Sequence, residues 1–155
     1  MKPVKIFVPA NRLAKIVQGN EGIAFEALVA DCEKRLLLMK DELQAYVREQ
    51  IREIVSIHAQ GEDLMFARCK ELGLAAMNIA DVAGIAKLAE VGEAAHGIRA
   101  MIDSLVCKGV WHTDALELHI TSLVLLSSEP APSQEEIGRV LGRLRKMRAA
   151  IGVVE

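Results

Sequence analysis

Apolar residues recur at alternating steps of three and four along the first third of the chain: Phe25, Leu28/Val29, Cys32, Leu36, Met39, Leu43, Tyr46/Val47 and Ile54. That spacing places them on one stripe of an α-helix. Glu33, Lys34, Lys40, Asp41, Arg48, Glu49 and Arg52 fall opposite and read as a solvated face. No glycine or proline interrupts residues 23–60, and Gly22 and Gly61 bracket them. The pattern predicts one very long helix over about 22–60, roughly 57 Å if continuous at 1.5 Å per residue.

Further helices follow from the same periodicity. One is predicted over 62–79, with Leu64, Met65, Cys69, Leu72, Ala75/Ala76 and Ile79 inward and Gly73 weakening it. Asp81 is a candidate cap for a helix reaching Lys108, ended by Gly109, with Ile85, Leu88, Val91, Ala95, Ile98, Ile102 and Leu105 inward. Thr113 or Asp114 starts the next, with Leu116, Ile120, Leu123 and Leu126 inward. The stretch Ser127–Pro132 reads as a linker. Ser133 and Glu136 form a capping box before the last helix, which turns Ile137, Val140/Leu141, Leu144, Met147 and Ile151 to one side.

Residues 1–20 differ in kind. Val4, Ile6 and Val8 alternate with Lys5, Phe7 and Pro9, which predicts an extended arm, with a short helix at 12–17 capped by Asn11. The expected organisation is an arm over 1–20 and one helical domain over 21–155. The fold class is all-α, an antiparallel bundle of four or five helices. A rod of this length carries more apolar stripe than its neighbours can cover, which favours a homodimer.

Composition sharpens this picture. Apolar residues make up 52% of the chain but aromatic ones only 3%, so the core must be built from Leu, Ile, Val, Ala and Met. All four prolines lie at 3, 9, 130 and 132, which argues against a turn-rich β protein. A net charge of −2 selects no nucleic acid. Cys32, Cys69 and Cys107 sit within apolar helical patterns and read as buried, reduced thiols, which suits a cytoplasmic protein. The N-terminus shows no secretory signal, and the apolar runs are too short to span a bilayer.

The chain contains no P-loop, no glycine-rich dinucleotide loop, no HExxH and no CxxC. No cofactor or metal is expected. The candidates for chemistry are histidines. His58 suits the dipole of a helix C-terminus. His112 and His119, with Asp114 and Glu117 between them, do not converge at metal-ligand spacing. Trp111 reads as a packing anchor. His96 falls about 110° from the centre of its helix's inward row, hence at the edge of the core. Around it lie small residues, Ala89, Gly97, Ala100 and Ser104. They suit either close helix packing inside the fold or the docking of a partner onto His96. On the last helix Arg139, Arg143 and Lys146 share a face, either solvated or turned to an acidic partner.

Two resemblances bear on function. The segment His96-Gly97-Ile98-Arg99-Ala100 resembles the H-x-[LI]-K-G motif of histidine phosphotransfer domains, with Arg99 and Ala100 replacing the usual lysine and glycine. It implies His96 as phosphoacceptor, Arg99 as the cation beside it and a response-regulator receiver as partner. The blocks VKIFVPANRLAKIV, DVAGIAKLAEVGEAAHGIRAMIDSL and GVWHTDALELHITSLVLL resemble a small group of alphaproteobacterial proteins found with chemotaxis genes, called CheE-like. That resemblance implies a cytoplasmic signalling accessory protein and no catalytic site. Three readings follow. The first is a non-enzymatic signalling or chemotaxis accessory protein acting through protein binding. The second is a phosphotransfer protein relaying phosphate through His96. The third is a structural protein whose long helix drives dimerisation.

Overall fold

The computed structural model describes residues 25–153. The arm expected over 1–20, with its short helix, lies outside the described residues. Among the described residues the chain is all-helical. The helices are α1 (Phe25–Leu38), α2 (Lys40–His58), α3 (Glu62–Ala67), α4 (Cys69–Ala83), α5 (Ala89–Lys108), α6 (Thr113–Leu126) and α7 (Gln134–Ala150).

The stretch expected as a single rod over 22–60 is two helices over its described part. They meet at Met39, where the N–H bonds to the Leu36 carbonyl at 3.2 Å in a tighter i to i−3 turn. Among the described residues the longest single helix is instead α5, with 20 residues. The helix expected over 62–79 also divides, at Arg68, and its second half continues past Asp81 to Ala83. Asp81 therefore caps nothing. Lys87 takes φ 60° in the turn that follows, and α5 begins only at Ala89. Gly61 (φ 93°) closes the stretch after α2, and Gly109 (φ 68°) ends α5 in the left-handed conformation, both where glycine is least strained. The capping box before α7 is formed: Ser133 N–H donates to Glu136 Oε2 at 2.9 Å, and Glu136 N–H to Ser133 Oγ at 3.3 Å.

Packing divides the chain between Arg35 and Leu36. In the first unit, residues 27–35 of α1 are exposed. In the second, α5 packs against α4, α6 and α7, while α2 packs against α4 and α6. Its core is Val47, Ile51, Ile54 and Ile57 of α2, Leu72, Ala75, Ala76 and Ile79 of α4, Val91, Ala94, Ala95, Ile98 and Ile102 of α5, and Leu116, Ile120 and Leu123 of α6, with Leu141 and Leu144 from α7. Most residues predicted inward on α4 to α7 are there. Ile85, which precedes α5, and Leu64 of α3, both expected inward, are exposed, while Leu88 and Leu105 are half-buried.

Small residues let α4 and α5 approach closely. A Cβ on Gly92 would lie 2.8 Å from that of Ala83, and one on Gly73 would lie 3.1 Å from Ile102 Cγ2. Gly73 is therefore a contact point, which its low helix propensity did not reveal. The cysteines depart from expectation. Cys32 and Cys107 are exposed and Cys69 is half-buried.

Ile98→Ala, at a site with no exposure, is expected to cost about 2–5 kcal/mol of unfolding free energy in urea titrations. Leu38→Ala, at a site 77% exposed, is expected to stay within about 0.5 kcal/mol of the parent.

Candidate functional site

His96 lies mid-way along α5 and is exposed. Its neighbour Gly97 points the other way and is buried, because consecutive helix positions differ by about 100°. His96 sits between two shallow hollows and lines both. One, of about 480 Å³, has a floor of Ala80, Ala83, Gly84, Ala89 and Gly92, with Glu93 and Arg145 at its edge. The other, of about 370 Å³, is lined by Arg99, Ala100, Asp103, Ser104, Cys107, Lys108 and Val153. Small side chains make both hollows, since a larger one at Ala89 or Ala100 would fill the space.

Charge is arranged around the histidine. Arg145 of α7 reaches Glu93 with two hydrogen bonds of 2.6 Å, one from Nε and one from Nη2. Arg99, one turn beyond His96, donates from Nε to Asp103 Oδ2 at 2.9 Å. Lys108 donates to the Gly152 carbonyl at 3.0 Å. Three cations thus border the hollows, and carboxylates hold two of them.

Arg139, Arg143 and Lys146 are exposed on α7. Arg139 stands 4.0 Å from Glu135. Arg139 and Arg143 line a separate hollow with Leu125, Pro132, Glu136 and Val140. The structure keeps these arginines apart from His96, and the α7 cation that reaches the His96 face is Arg145. Its place between Arg143 and Lys146 in the sequence gave no sign of that, because only the packing angle of α7 on α5 decides it.

Beneath His96 lies a polar pair that the sequence reading missed. His119 of α6 has no exposure and Arg148 of α7 has 3%. His119 Nδ1 is 2.8 Å from the Ala115 carbonyl, and Nε2 is 3.3 Å from Arg148 Nη1. A carbonyl only accepts and a guanidinium only donates, so Nδ1 carries the proton and Nε2 accepts. The ring is therefore neutral. Burial pushes the His119 pKa down, and the Arg148 charge pushes the same way. A Cβ on Gly97 would come within 2.6 Å of both Arg148 Nη1 and His119 Cδ2. Gly97 thus gives the pair its room, so of the two uses expected of the small strip it serves close packing inside the fold. The available signal was spacing, since His119 lies three residues beyond Leu116 and beside Ile120, on the inward face.

His58 stands 3.9 Å from Glu117, in addition to ending α2. Trp111 packs edge-on against Phe66, with ring centroids 5.4 Å apart, and donates from Nε1 to Thr113 Oγ1 at 2.9 Å. Among the described residues no three His, Cys, Asp or Glu side chains gather as metal ligands, and no helix is long and apolar enough to cross a membrane. No family model, curated protein or solved structure matches the chain.

The buried pair sets a pH dependence. His119 has a folded pKa below its ordinary value of 6.5, so at lower pH the unfolded chain binds the extra proton. Its contribution to stability is present above about 6.5 and is lost as pH falls from there toward the folded pKa. The urea midpoint is expected to drop between pH 7 and pH 5, with a smaller drop for His119→Gln. Gly97→Ala is expected to cost about 1–3 kcal/mol, read from the same titrations at pH 7.

Proposed function

We propose that the chain is a helical-bundle signalling protein that binds other proteins through the α5 face around His96, without catalysing a reaction. What carries the reading is the exposed histidine between two small-floored hollows bordered by Arg145, Arg99 and Lys108. A partner backbone can approach such a surface closely, and bordering cations suit a partner with acidic groups. A response-regulator receiver has that chemistry at its acidic pocket. The resemblance to CheE-like proteins supports placing the partner in a cytoplasmic chemotaxis pathway. Arg139, Arg143 and Lys146 offer a second cationic face on α7 for the same class of partner. The homodimer belongs to this reading. The exposed Leu36 and Met39 support it, since exposed apolar rows mark interfaces.

A second reading, phosphate relay through His96, is favoured by one observation: the imidazole is exposed, with a guanidinium one turn away. In that step an imidazole nitrogen attacks the phosphorus of a receiver's aspartyl phosphate. The P–N bond forms, the P–O bond to the acyl group breaks, and the carboxylate leaves with the electron pair. Against it stand Arg99, held by Asp103, and the replacement of the motif's usual lysine and glycine.

The test is incubation with a receiver labelled on its phosphoryl group. A receiver is expected to bind without passing its label. Ala100→Trp, which fills one hollow, is expected to weaken binding about tenfold. His96→Gln is expected to leave stability within about 0.5 kcal/mol, since the side chain is exposed. Label appearing on the parent chain but not on His96→Gln would establish the relay instead. Binding indifferent to both substitutions would remove the α5 face from the function.

A further inference from the structure

The edge of α6 that meets α7 carries a short apolar groove. Leu118 and Leu125, two turns apart on α6, are 45% and 47% exposed. Leu125 joins the half-buried Pro132 and Val140 in a hollow of about 240 Å³, with Arg139, Arg143 and Glu136 at its rim. The two helices are still side by side at Leu118, since the next residue, His119, reaches Arg148 of α7. The cations here differ from those beside His96. Arg99 and Arg145 are held by Asp103 and Glu93. Arg139 stands 4.0 Å from Glu135. The Glu136 carboxylate is turned to Ser133, accepting from its N–H at 2.9 Å and its hydroxyl at 2.7 Å. The exposed side chains of Arg143 and Lys146 have no ion pair or hydrogen bond among the described residues.

We propose that this groove takes an amphipathic helix of another protein, one with an acidic flank. Two large apolar side chains two turns apart on that helix span the distance from Leu125 to Leu118, about 10 Å at 1.5 Å per residue. Carboxylates beside them face Arg143 and Lys146. Unpaired cations at the rim select carboxylates, and no internal ion pair has to break to receive them. The walls favour a helical occupant. Mid-helix N–H and C=O groups of α6 and α7 bond within their own turns, so an extended segment finds no backbone edge to join. A helix packs through side chains alone. Nucleic acid is disfavoured by the aliphatic floor, which has no ring for a base to stack on, and by Glu135 and Glu136 at one end. A lipid surface is disfavoured because apolar side chains enter it by protruding, whereas Val140 and Pro132 are recessed.

This inference rests on the cationic face of α7 in the reading above and stands or falls apart from His96. The probe is a fluorescein-labelled peptide of about 15 residues, four helical turns, with leucine at two positions in each seven, glutamate beside them and alanine elsewhere. It is titrated against the full chain by fluorescence anisotropy, with circular dichroism confirming the fold of every variant. Saturable binding is expected. Arg143→Glu and Leu125→Glu are each expected to weaken it about tenfold, as is scrambling the peptide so that its leucines no longer share a face. Ala100→Trp, on the α5 face, is expected to leave it within about twofold. Three results overturn the inference and leave the α5 reading standing: no saturation, equal binding of a peptide with lysine for glutamate, or binding that responds to Ala100→Trp and not to Arg143→Glu. Vesicles of anionic phospholipid that bind the parent chain but neither α6–α7 variant make a membrane the occupant. A dimer, by light scattering, that both substitutions dissociate makes the occupant a second copy. Either result overturns the inference as well.

Discussion

The distance between α5 and its neighbours governs the second packing unit. Gly92 brings α5 against Ala83 of α4, and Gly73 of α4 accepts Ile102 of α5. Gly97 lets α5 lie over the His119–Arg148 pair joining α6 and α7. With so few aromatic residues, the core has little bulk to fill wide gaps. Close approach through glycine and alanine is how such a core reaches normal packing density. Each glycine costs helix propensity, and the burial of Ile98, Ile102 and Leu72 around these contacts offsets it.

The same close approach shapes the candidate site. Gly97 faces inward because the buried pair leaves no room for a side chain, and that fixes the rotation of α5. With the rotation fixed, His96 faces outward. The larger hollow beside it exists because Ala80, Ala83, Ala89 and Gly92 are small. The property that packs α4 on α5 within the core thus also leaves a shallow hollow at its edge. The two readings set out for this strip, internal packing and an accessible surface, are both realised on one helix, at Gly97 and at His96.

The apolar stripe of α1 and α2 follows a different logic. Val47, Ile51, Ile54 and Ile57 satisfy a helical row within the second unit and are buried. Val29, Leu36 and Met39 continue the spacing but stay exposed. Periodicity alone does not distinguish these two halves, because an interior and an interface impose the same spacing on a helix.

Much of the secondary structure was legible because its signals are local. Ser133 and Glu136 lie within one turn of each other, Gly61 and Gly109 act through their own dihedrals, and the rows of α6 and α7 face one side at regular spacing. The turns at Met39 and Arg68 were not legible, since neither carries a glycine, a proline or a capping side chain. Asp81 misled because a residue suited to cap a helix is also tolerated on its solvated face. For the site, the sequence placed His96 at the edge of its helix and Arg99 one turn away, which helix geometry alone decides. It did not show Arg145 beside His96, His119 against Arg148, or Gly97 in the interior. Those depend on the angles at which α6 and α7 cross α5, set by contacts between residues up to 52 positions apart in the chain, as between Glu93 and Arg145. The sequence by itself determined which residues share a helix and a face, because those relations span three or four residues. Only the tertiary structure decided which faces meet, because that is a choice among packings that the whole core makes together.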